Sequence, residues 1–75
     1  MTQSLRLTAI IEREEGGFVS LCPELDVASQ GSTIEEARAN LIEALSLFFE
    51  TADQSEIARR FRKEVFVTQV EVPVG

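Results

Sequence analysis

The hydrophobic pattern predicts an α+β fold: a two-layer β-β-β-α-β domain in which one sheet is covered by one main helix. Three observations predict it. Apolar residues alternate in short runs, broken by Gly and Pro, through residues 5–30. The spacing then lengthens to a helical stripe over residues 34–51 and returns to alternation over 64–74. A sheet and an amphipathic helix each have one apolar face, and packing the two together is the economical way to bury both.

The first run, residues 5–12, places Leu5, Leu7, Ala9 and Ile11 on one face and Arg6, Thr8, Ile10 and Glu12 on the other. Ile10 on the second face predicts a strand that is central, or covered there. Glu14-Glu15-Gly16-Gly17 reads as a hairpin turn whose glycines can take positive φ, and residues 18–22 as the returning strand. Pro23 has no N–H to give a ladder, so residues 23–26 form a bend. Residues 27–30 read as a short, polar edge strand.

The helix is announced by its start signal. Thr33 fits the N-cap and Glu36, three residues on, completes a capping box; Ser32 with Glu35 is a second register. Glu35 and Glu36 also set negative charge against the positive end of the helix dipole. At about 100° per residue, Ile34, Ala37, Leu41, Ala44, Leu45 and Phe48 form one stripe. Ile42 and Phe49 flank it, either as a broad core face or as a subunit contact. Residues 55–63 form a short second helix pairing Ile57 with Phe61 and carrying Arg59, Arg60, Arg62 and Lys63. In the final strand, residues 64–74, Phe66, Thr68, Val70 and Val72 share one face, and Val65 and Val67 the other. Ile10 and Val67 would then sit on the uncovered face of the sheet, again as candidate subunit contacts.

With 75 residues the chain is read as a single domain, residues 1–75. A domain of this size buries only about 60% of its unfolded surface. One cysteine makes no internal disulfide, and a chain without histidine is a poor zinc ligand set. Oligomerisation is the remaining aid, so a homodimer or larger assembly is expected. No apolar run of about 18 residues is present, so no membrane span is expected. The first residues lack a basic-then-apolar leader, so a cytoplasmic protein is expected. Of the formal net charge of −6, the part up to Glu50 carries nine acids against three basic residues. Such a body does not suit nucleic-acid phosphates, and it suits either plain solubility or a basic partner.

No catalytic constellation emerges, and no cofactor, metal or enzymatic activity is expected. Without histidine the usual base for a Ser or Cys nucleophile is missing, and Cys22 reads as a buried strand thiol. Glu24 and Asp26 with the helix-start acids would be the carboxylates of a metal site, but Glu35 and Glu36 already have capping and dipole roles. Gly16-Gly17 opens no helix and is therefore not a phosphate loop.

Gly17-Phe18, then Cys22-Pro23-Glu24-Leu25, then Gly31-x-Thr33-x-Glu35-Glu36-Ala37-x-x-Asn40-x-x-Glu43-Ala44 together resemble the HicB-like antitoxin family over roughly residues 7–49. The resemblance implies a partial ribonuclease-H-like fold whose final strand lies beside the first. It implies a non-catalytic antitoxin acting by protein–protein contact on a small basic HicA-type toxin that cleaves mRNA. The chain departs from many members in leaving about 25 residues after the helix, too few for a strand and a separate DNA-binding domain as well. It also has Asp26-Val-Ala-Ser29 where a Pro-Gly pair often follows Pro-Glu-Leu. The helix-flank Asn40 is expected to tie down the bend before the helix. The alternatives are a nucleic-acid-binding transcriptional regulator using the Arg59–Lys63 cluster, or a self-associating domain with no toxin partner.

Overall fold

The computed structural model describes residues 5–75; the leader-free reading of the N-terminus falls mostly on residues 1–4, outside the described residues. The fold is α+β. Strands β1 (Ile10–Glu14), β2 (Gly17–Cys22) and β3 (Val27–Gly31) precede helices α1 (Ile34–Thr51) and α2 (Gln54–Arg60). The sheet is antiparallel in the order β1-β2-β3.

The hairpin closes where the glycines predict. Glu14 pairs with Gly17 across Glu15-Gly16. Only Gly16 takes a positive φ, 86°, as the third position of a type II turn demands. Gly17 is small for another reason: a Cβ there would stand 2.7 Å from the Gly31 carbonyl oxygen. Asp26, at φ 56°, turns the bend between β2 and β3, a left-handed position that Asp tolerates better than most residues.

Thr33 is the N-cap, its Oγ1 accepting from the Glu36 amide at 3.0 Å. Glu36 reaches back to the Ser32 amide at 2.6 Å, one residue before the N-cap amide of the standard box. Of the predicted stripe, Ala37 and Leu41 are buried and Ala44, Leu45 and Phe48 half-buried. Ile34 is 50% exposed. Ala37, one turn later, stands against Gly31 and is fully buried. The core is small: Cys22, Leu25 and Leu41 at its centre, with Leu7, Val27, Leu45, Phe48, Phe49 and Phe61 around it.

Four expectations are corrected. The first strand runs Ile10–Glu14, not 5–12. Its partner β2 stops at Cys22, before Pro23, and the Thr8 amide turns to the Glu24 carboxylate instead of a ladder carbonyl. Ile10 therefore lies on an edge strand, not a central one. The second helix is Gln54–Arg60 because Asp53 caps it, accepting from the Glu56 amide at 2.8 Å. The final strand is not formed: among the described residues, 64–75 enter no ladder. Alternation marks a segment able to pair but does not supply the strand it pairs with.

Candidate protein-interaction site

Three places on the molecule gather the predicted residues. The first is an acidic cleft of about 420 Å³ between the β1–β2 turn and the start of α1. Glu14, Glu15 and Glu36 line it, with Gly17, Phe18, Gly31 and Asn40. Antiparallel pairing of Phe18 with Gly31 brings the two halves of the motif together. Helix and strand meet closely here because Gly31 has no side chain: a Cβ would lie 2.5 Å from the Ala37 amide nitrogen and 2.7 Å from the Glu36 carbonyl carbon. Two side chains fasten the contact. Asn40 Nδ2 donates to the Gln30 carbonyl at 2.7 Å, the tie expected of it. Buried Ser20 donates to the Ala37 carbonyl at 2.9 Å. The Arg13 guanidinium lies 4.7 Å from the Phe18 ring centre beside the cleft.

The second place is the bend at residues 23–26. Leu25 is fully buried and Glu24 is 8% exposed. The Glu24 carboxylate accepts from the Thr8 amide at 3.1 Å and from Thr8 Oγ1 at 2.6 Å, and the Cys22 thiol donates to it at 3.3 Å. Burial alone would push the Glu24 carboxyl up; the Thr8 hydroxyl and the neighbouring donors outweigh it and hold the group below its ordinary value. Burial and the bond to Glu24 push the Cys22 thiol up, so this cysteine is held as a neutral donor. Arg60 clamps the outside of the bend. Its Nη2 donates to the Leu25 carbonyl at 2.8 Å and to the Asp26 carbonyl at 3.3 Å, and its guanidinium lies 4.9 Å from the Phe48 ring centre. One member of the basic cluster is thereby committed to the fold, which weakens the cluster as a nucleic-acid patch.

The third place is a groove of about 890 Å³ between residues 5–9 and the flank of α1. Ile42 and Phe49 line it with Leu7 and Leu45. Phe49 also packs against the core, whereas Ile42 is 49% exposed. The four candidate contact residues do not form one surface. Ile10 pairs with Leu21 and lies on the sheet face opposite the buried Ser20 and Cys22, while Val67 is on the unpaired tail. The carboxylates weighed as a metal site are also kept apart, Glu24 turned to Thr8 and Glu36 to Ser32. Among the described residues no three His, Cys, Asp or Glu side chains are placed to hold a metal ion, and no helix is long and apolar enough to cross a membrane.

Thr8, Ser20 and Arg60 are not singled out by the sequence. A hydroxyl at position 20, on the helix-facing side of an otherwise apolar strand, is the only one that gives a signal there. Thr8 and Arg60 take their roles from chain segments distant in sequence.

A UPF0150 protein of Synechocystis sp. is 50% identical to this chain over 56 residues, which span 72% of the chain and 75% of the relative. The chain belongs to the UPF0150 family. A UPF0150 protein of Helicobacter pylori is 31% identical over 67 residues, 88% of this chain and 93% of the relative. A second Synechocystis UPF0150 protein is 41% identical over 51 residues. No family model matches the chain, and no solved structure matches it significantly. The name UPF0150 specifies neither an activity nor a partner, so function must be read from surface chemistry.

Proposed function

We propose that this UPF0150 protein acts without catalysis, by protein–protein contact, as a HicB-like antitoxin that neutralises a small basic HicA-type mRNA-cleaving toxin. The observation that carries this reading is the acidic cleft, lined by the exposed Glu14, Glu15 and Glu36 at the junction of the two motif halves. Exposed carboxylates lining one cleft steer a basic partner and fix its register. In this reading the protein works as a cytoplasmic homo-oligomer, and its net charge of −6 favours association with a cationic chain.

The test is co-expression with a small basic HicA-type chain, taken from the adjacent open reading frame where one is found there. Wild-type protein is expected to co-purify with that chain and relieve its toxicity. The double substitution Glu14→Lys, Glu15→Lys is expected to abolish both effects while leaving thermal unfolding unchanged, since neither side chain is buried. Failure of the wild type to bind, or full rescue by the double variant, would refute the reading.

A further inference from the structure

Beyond Arg62, whose amide donates to the Glu24 carbonyl at 2.7 Å, the chain leaves the body as an unpaired extended segment. The side chains that alternation predicts for a core are in the open: Phe66 is 83% exposed and Val70 78%. The shape records the same departure. A chain of 75 residues packs to a radius of gyration of about 11 Å, whereas this one measures 14.5 Å, with a longest extent of 51 Å. The body has the complementary defect. Among the described residues the outer edge of β1 is unpaired, and α1 lies over β3 and β2 but barely touches β1. Leu7, Ile42, Leu45 and Phe49 therefore wall a groove with no strand in it.

We infer that the tail of one copy, residues 64–72, lies as a fourth strand beside residues 5–9 and β1 of a second copy, and that the exchange is reciprocal. Phe66, Val70 and Val72 enter the groove beneath α1, while Glu71 faces outward along the rim. The chemistry of the two surfaces matches. The ionisable residues lining the groove are Arg6 and Arg38, and those of the tail are Glu64 and Glu71. Residues 63–72 contain no Gly, Pro, Asn or Asp, so the tail carries no turn signal that would fold it back on itself. A two-fold axis satisfies both edges at once and closes the assembly as a dimer. This inference stands independently of the antitoxin reading.

Light scattering after size exclusion, with hydrogen exchange on the same samples, tests it. The wild type is expected at about twice the chain mass of 8.3 kDa, with the amides of residues 65–72 protected. Phe66→Glu, Val70→Glu is expected to run at the single-chain mass with those amides exchanging freely. Both side chains are exposed in the single chain, so the substitution spares its fold. A wild-type protein at the single-chain mass with a protected tail would show closure onto its own groove and overturn the exchange. A dimer that survives the double substitution, or one whose tail amides are unprotected, would overturn it too.

Discussion

Glu24 is the residue on which the most chemistry converges, since a nearly buried carboxylate must be satisfied by its neighbours. Thr8 and Cys22 supply the donors, and the carboxyl is held below its ordinary value. A carboxyl depressed in the folded state stabilises it fully above the unfolded pKa. That contribution disappears as the pH falls through the folded value. Glu24→Gln is therefore expected to cost about 1–3 kcal/mol at neutral pH. In urea titrations the gap to wild type is expected to narrow as the pH falls below about 4. A gap independent of pH would show that the charge is not what matters. Gly31 makes a steric prediction of its own. Gly31→Ala would drive a methyl into the backbone of the first turn of α1, with an expected loss of about 1–3 kcal/mol in the same titration. Both residues stand out in the sequence as motif positions. So does Ala37, which faces Gly31, but Thr8 does not, because nothing local tells it that it faces residue 24.

Among the elements, α1 was the most legible. Its N-cap, stripe and 18-residue span all follow from local chemistry and helical periodicity. Helix α2 depends on tertiary contact. Its seven residues are too few for a helix to persist alone in water, so Asp53, Phe61 and the Arg60 clamp must hold it. Arg60→Ala is expected to abolish amide protection at Ile57 and Phe61 while α1 keeps its own, as hydrogen exchange would reveal. Equal loss in both helices would instead show that the two unfold as one unit. The sequence reads Arg60 as one of four exposed cations, because the carbonyls it binds are 34 and 35 residues away. The first strand was misplaced for a related reason. Period two identifies residues able to pair, while the ladder's length is set by where the partner strand ends.

For the molecule as a whole, four buried apolar residues among the described residues 5–75 make a meagre core. At this size folding and association are coupled. If the tail completes a second copy, the melting temperature rises with protein concentration. Over a hundredfold dilution it is expected to fall by several degrees for the wild type and to stay constant for Phe66→Glu, Val70→Glu. A concentration-independent wild-type melting curve would show that the folded unit is one chain.

By itself the sequence determined the α+β class, the hairpin, the capped helix, the buried thiol and the acidity of the body. All of these follow from local dihedral preferences, from periodicity or from counting charges. The tertiary structure decided what depends on distant partners. Glu24 answers Thr8, Arg60 closes the bend, β1 lies at an edge, and the final apolar run finds no strand among the described residues of its own chain. Alternation specifies which face of a strand is apolar; only packing specifies what covers it.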